Sequence, residues 1–209
     1  MKTKFQQFKA SYFLYSFRRD LVAMASFAVL VIFLVIAFAA PWISPMNPYD
    51  SANIDIMNSE IPPMWMDGGS VEFPLGTDNQ GRDMLSTMFY GLRTSIIIGL
   101  GAVAIQAAIG IVLGLMAGYL GGKTDAILMR LADIQFSFPY LMVAIFMSAI
   151  FQVVFGAGSF EQMAIPLLTI IIGLSNWPMF ARTIRASVMG EKNKEYVEAA
   201  RVIGLPQRI

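Results

Sequence analysis

Four stretches of the chain are apolar and free of charge over long distances: residues 21–40, 94–122, 134–160 and 162–181. An α-helix rises about 1.5 Å per residue, so about 20 residues cover the roughly 30 Å hydrocarbon core of a bilayer. Each stretch meets that length, and four membrane-spanning helices are predicted. The first holds twelve Leu, Val, Ile or Phe residues, which together favour insertion by about 4 to 7 kcal/mol. A cleavable signal peptide is the rival reading here, because Ala37-Phe38-Ala39 resembles a cleavage site. The apolar run is longer than the about 7 to 15 residues of a signal core and further spans follow, so a retained helix is expected.

The segments between the spans have their own patterns. Residues 41–73 are rich in Pro, Asn, Asp, Gly and Met; they read as a loop with little regular structure, long for a simple connection. After Pro74-Leu75-Gly76-Thr77-Asp78 a helical pattern begins, with Thr77 or Asp78 the expected N-cap ahead of Met84, Leu85 and Met88. The plain structural reading of that pattern is an amphipathic surface helix beside the second span. Within the second span, Gly110, Gly114 and Gly118 recur every fourth residue, accompanied by Ala107 and Ala117. Such a face lets another helix approach closely and would suit a subunit interface, without saying which helix docks there. In the tail, Tyr196, Ala199, Ala200 and Ile203 fall at i, i+3, i+4 and i+7, Glu195, Glu198 and Arg201 lie elsewhere around the helix, and Gly204 ends it. By periodicity alone, this helix fits a groove on a partner as well as it fits the surface of a bilayer.

Charge orients the spans. Residues 1–20 carry Lys2, Lys4, Lys9, Arg18 and Arg19 against Asp20 alone, which by the positive-inside rule puts the amino terminus in the cytoplasm. Residues 41–93 then lie outside, with Arg82 and Arg93 against seven acids, Asp50, Asp55, Glu60, Asp67, Glu72, Asp78 and Asp83. Residues 123–133 return to the cytoplasm, a turn at residues 156–161 lies outside, and the tail from Arg182 is cytoplasmic. Thirteen of the fifteen Lys and Arg fall inside on this scheme.

Composition removes several classes of function. The chain is 56% hydrophobic and 14% charged, with a mean hydropathy of +0.62, far more apolar than a soluble domain. A net charge of +1 offers no field for nucleic acid. There is no Cys and no His, so thiol nucleophiles, disulfides, thiolate or imidazole metal sites and the commonest general base are all absent. No catalytic, cofactor-binding or metal-binding residue is expected. The spans lack Asp, Glu, Lys and Arg away from their ends, unlike most ion-coupled carriers, which favours an external energy source. Gln106, Ser148, Gln152, Thr169, Ser175 and Asn176 are the polar residues left to line a path, and no substrate residue is assigned.

Glu198-Ala199-Ala200 followed by Gly204 matches the start of the EAA motif of bacterial ABC importer permeases. Its company is more specific: Pro74-Leu75-Gly76-Thr77-Asp78, Gly81-Arg82-Asp83, Gly91-Leu92-Arg93-Thr94-Ser95, Gly118-Tyr119-Leu120-Gly121-Gly122, and Met129-Arg130-Leu131-Ala132-Asp133 with Phe138-Pro139. In order and spacing these resemble the C-type permease of dipeptide and oligopeptide ABC transporters over nearly the whole chain. The resemblance implies an all-α, polytopic transmembrane protein with the type I ABC importer permease fold. Residues 1–73 would form the amino-terminal helix and outside loop, and residues 74–209 the transport core. It implies a multi-pass location in the cell (inner) membrane and four protein partners: a second homologous permease, an extracytoplasmic peptide-binding protein and two ATPase subunits that carry out the hydrolysis. Glu198, Ala199, Ala200 and Gly204 would form the ATPase-coupling interface.

One departure bears on this. The family motif runs on after its Gly to an Ile and then Leu-Pro, whereas here Leu205-Pro206 comes early and the sequence stops at Ile209. Two further spans of the family are also missing, so a C-terminally truncated core is expected. Related systems carry dipeptides, longer peptides, glutathione or nickel chelates. A passive channel, an ion-coupled carrier and a non-transporting membrane scaffold are the readings from other classes.

Overall fold

The computed structural model describes residues 12–50, 52 and 54–204. Lys2, Lys4, Lys9, Arg208, the Leu205-Pro206 pair and Ile209 lie outside the described residues. Two compact units, Met1–Ile96 and Ile97–Ile209, divide the chain.

The first unit begins with a short helix α1, Tyr12–Arg19, and the apolar helix α2, Leu21–Ile43. Asp20 separates them and caps α2: its Oδ1 accepts from the N–H of Val22 at 3.0 Å and of Ala23 at 3.1 Å, where the helix dipole also favours a carboxylate. The helix runs three residues past the apolar stretch, through Pro41 to a C-cap at Ser44, whose N–H reaches the carbonyl of Ala40. Phe27, Ile32, Phe33 and Phe38 point in different directions, and each is more than half exposed. Apart from Ala37 and Ala40, which are buried near its end, the helix is apolar and exposed on every side, and such a helix has lipid as its solvent. The following loop contains a 3-10 turn, Ile56–Asn58.

Helix α3, Met84–Leu120, is 37 residues long, about 55 Å at the standard rise. The amphipathic surface helix expected before the second span does not exist as a separate element. No proline interrupts residues 84–94, so helical hydrogen bonding propagates without a break into the apolar run.

The later boundaries also differ from the apolar runs. Residues 134–137 belong to α4, Gly122–Ser137, and the chain then bends by 76° into α5, Tyr140–Phe155. The cause is Pro139, which excludes the residue before it from the helical region; Phe138 is extended at φ −100° and ψ 122°. The expected turn at residues 156–161 contracts to Gly156, and α6, Ala157–Ser175, begins at once. Asn176 then breaks the fourth expected span, and α7, Trp177–Lys192, starts with Pro178 in its first turn. Helix α8, Glu195–Val202, completes the described chain. Leu21–Ile43, Met84–Leu120 and Met163–Lys192 are long and apolar enough to cross a membrane, and the bent pair α4–α5 is a fourth if it counts as one span.

The glycine face of α3 packs inside the chain, in the second unit. A Cβ on Gly110 would lie 2.4 Å from Phe180 Cβ and 2.7 Å from the Trp177 carbonyl oxygen. On Gly114 it would lie 2.6 Å from the Ala181 carbonyl oxygen, and on Gly118 2.8 Å from Val188 Cβ. Ala181 is fully buried against this face. Gly101 meets Thr169 and Gly173 meets Ile105 in the same manner, so α3 holds both α6 and α7 at backbone distance. Gly114→Leu is expected to destabilise the protein by at least about 1 to 3 kcal/mol, read as a lower midpoint of thermal unfolding in detergent. Gly99 has no neighbour within 4 Å, and Gly99→Ala should leave the midpoint unchanged or raise it; equal midpoints for Gly114→Leu and wild type would refute the packing.

Candidate functional site

The motif residues that precede α3 tie the preceding loop to the start of that helix. Thr77 donates its hydroxyl to the Asn58 carbonyl and accepts from the Ile61 N–H at 2.9 Å, while its own N–H reaches the Ile61 carbonyl at 3.0 Å. Asp78 accepts from the N–H of Gln80 at 2.9 Å and of Arg82 at 3.0 Å, and pairs with the Arg82 guanidinium at 2.7 Å. Burial alone would raise the Asp78 pKa, but the Arg82 amide and guanidinium and the Gln80 amide together hold it below the ordinary 3.8. Both glycines of the motif are obligatory. Gly76 (φ +81°) and Gly81 (φ +76°) sit in the left-handed region, and a Cβ would lie 2.4 Å from the Ile61 oxygen and 2.0 Å from the Asp55 oxygen respectively.

Neither Thr77 nor Asp78 is the N-cap of α3. That role falls to Asp83, which is fully buried: its Oδ2 accepts from the Ser86 N–H at 2.7 Å and the Ser86 hydroxyl at 2.6 Å. Thr77 and Asp78 are already spent on the loop, and a cap must lie two or three residues before the amide it serves. The Asp-x-x-Ser spacing of Asp83 and Ser86 was the sequence signal for it. Ser86 Oγ in turn accepts from the Met46 N–H at 3.2 Å, so the chain leaving α2 is fastened to the first turn of α3.

In the second unit, charged side chains gather where α7 meets α4 and α8. The Arg185 guanidinium grips the Asp125 carboxylate with both prongs, Nε to Oδ1 and Nη2 to Oδ2, the latter at 2.6 Å. Arg182 pairs with Asp133 at 2.7 Å and lies over the Phe136 ring. Lys192 donates to the Tyr119 carbonyl at the end of α3 at 2.9 Å. Glu191 accepts from Lys194 at 2.5 Å and from the Tyr196 hydroxyl at 2.9 Å, joining the end of α7 to α8. Partners 60 residues apart, such as Asp125 and Arg185, leave no periodic signal, and sequence reasoning did not find them.

Glu198 and Ala199 lie on α8 and are exposed, and Ala200 is on the same helix with its side chain outside what is described. Gly204 follows at φ +78° with open space around it, as a glycine that ends a helix should. On the predicted apolar face, Tyr196 is 63% and Ile203 76% exposed; the described helices leave these two side chains uncovered. Of the candidate path residues, Thr169 and Ser175 spend their hydroxyls on carbonyls of their own helix at 2.7 Å.

Apolar, outward-exposed helices of membrane-spanning length, packed on one another through glycine faces, define a polytopic membrane protein. Residues 110–208 match the family described as binding-protein-dependent transport system inner membrane component, and residues 10–63 match the N-terminal TM domain of oligopeptide transport permease C. The two matched stretches together cover most of the chain, which belongs to this family of inner membrane transport components. It is 35% identical over 189 residues, 90% of its length, to the di/tripeptide transport system permease protein DppC of Pseudomonas aeruginosa (strain UCBPP-PA14). It is 38% identical over 92% of its length to the dipeptide transport system permease protein DppC of Escherichia coli (strain K12), and 34% identical over 90% to the oligopeptide transport system permease protein OppC of Bacillus subtilis (strain 168). The chain spans 58%, 60% and 55% of the length of these three relatives.

Two measurements check the loop. Asp83→Ala should cost about 1 to 2 kcal/mol through the lost cap, read as faster proteolytic cutting within residues 44–83. Because the Asp78 pKa is lower folded than unfolded, its stabilisation is fully present above 3.8 and is lost as pH falls through the folded value. Hydrogen exchange of residues 58–82 should therefore accelerate over that acid window in the wild type, with a smaller change in Asp78→Asn. Identical pH profiles would refute the pairing.

Proposed function

We propose that the chain is part of the permease of an ATP-driven importer of di- or oligopeptides in the cell membrane, with its amino terminus in the cytoplasm. Residues 1–73 supply the first span and an outside loop, and residues 74–209 the beginning of the transport core. Peptide arrives from an extracytoplasmic binding protein, a second homologous permease completes the pathway, and two ATPase subunits hydrolyse ATP. The observation that carries the reading is α8: a short helix with Glu198, Ala199 and Ala200, ended by Gly204, within the family-matched stretch and with Tyr196 and Ile203 uncovered.

In this reading α8 is the coupling helix. Its Ala pair and Gly204 allow its backbone to approach a groove on the ATPase, and Glu198 supplies the charge at the contact. ATP binding draws the ATPase pair together, carries the coupling helices with it, and shifts the spans between inward-facing and outward-facing arrangements. Such linkage needs a coupling free energy of about 1 to 3 kcal/mol.

The test uses the complete permease, co-expressed with its partners. Glu198→Lys reverses a contact charge, and Gly204→Pro forbids the positive φ; each should weaken capture of the ATPase about tenfold or more, about 1.4 kcal/mol, and abolish ATP-dependent peptide uptake. Undiminished capture by both variants would sink the coupling assignment. Uptake that persists after ATP depletion would sink the importer.

A further inference from the structure

The last turn of α7 is a junction at which consecutive side chains reach different helices. Glu191 holds Tyr196 and Lys194, on and just before α8, whereas Lys192 holds the Tyr119 carbonyl at the end of α3. Two turns earlier, Arg185 grips Asp125 in the first turn of α4, and Arg182 reaches Asp133 near its end. These contacts differ in strength. The Glu191–Lys194 and Arg182–Asp133 pairs are about half exposed, and water screens such pairs. Arg185 and Asp125 are 31% and 19% exposed and joined by two parallel bonds, the geometry that fixes orientation as well as distance. Behind them, Gly114 lies against the Ala181 carbonyl and Gly118 against Val188, so α3 brings no side chain of its own to its contact with α7 there.

The same helices have two breaks. The chain bends by 76° at Ser137–Pro139 between α4 and α5, and the helix is interrupted at Asn176 between α6 and α7, which still run on as one span. Everything tied by Arg185 and its neighbours lies on one side of both breaks, and the α5–α6 hairpin lies on the other.

We propose that Arg185, through its two-pronged pair with Asp125, is a positioning residue that makes the end of α3, α4 and α7 follow α8 as one body. The inference rests on α8 being the coupling helix. Arg185 touches neither the ATPase nor the substrate; without it α8 still docks, but its displacement is taken up by slippage between α7 and α4 and does not reach the spans.

The experiment compares wild type, Arg185→Gln and the reversal Asp125→Arg/Arg185→Asp in the complete transporter reconstituted in proteoliposomes. The readouts are ATPase capture, ATP hydrolysis, and peptide taken up per ATP hydrolysed. Expected for Arg185→Gln are retained capture and hydrolysis with uptake per ATP reduced about fivefold or more, and for the reversal a recovery of most of that ratio. A merely structural role would lower the amount of complex and leave uptake per ATP unchanged, which overturns the proposal. If Arg185→Gln fails to assemble, the reversal decides: a restored ratio supports the clamp, and an assembled but uncoupled complex overturns it. A wild-type complex that captures no ATPase overturns the coupling reading beneath it, which makes the two failures distinguishable.

Discussion

The second unit depends on one constraint: α3 must come within backbone distance of both α6 and α7. In lipid, burying apolar side chains between helices gains little, because the surrounding acyl chains are as apolar as leucine. What remains is close packing, and close packing needs surfaces without side chains. Gly110, Gly114 and Gly118 provide that surface toward Phe180, Ala181 and Val188, and Gly101 and Gly173 provide it between α3 and α6. The ion pairs at the end of α7 then add orientation to a contact that is already set in distance.

The first unit is held differently. Its loop lies beyond the apolar helices and is organised by hydrogen bonds to backbone groups, supplied by Thr77, Asp78 and Asp83. Buried or half-buried carboxylates are stable there because each accepts from N–H or O–H groups that the loop geometry presents. The spans are a problem of packing, and the loop is a problem of satisfying polar groups; the sequence motif of residues 74–83 is the solution to the second.

The apolar runs were legible because insertion depends on composition over about 20 residues and is insensitive to detail. Helix ends were less so. Pro139 was visible, yet whether it merely bends a span or ends one is decided by the 76° turn that its neighbours accept. Asn176 and Gly156 lie inside or beside uninterrupted apolar runs, and hydropathy has no term for a single-residue break. The glycine stripe was read as a close-approach face, but its partner on α7 could not be, since nothing in Ala181 or Val188 marks them as complementary. The terminal helix was the easiest element to place: its i, i+3, i+4, i+7 pattern and Gly204 are local, and α8 ends where they say. The Arg185–Asp125 pair was hidden for the opposite reason, as it joins positions 60 residues apart.

The α5–α6 hairpin has a consequence for how the protein is made. Its two arms reverse at Gly156 with no separate connector, so in the proposed orientation Glu161 is the one charged side chain that must cross with the pair. At 16 residues, α5 measures about 24 Å, short of the hydrocarbon thickness, and the difference is met by α4 where the bent pair counts as one span, or by local thinning of the bilayer.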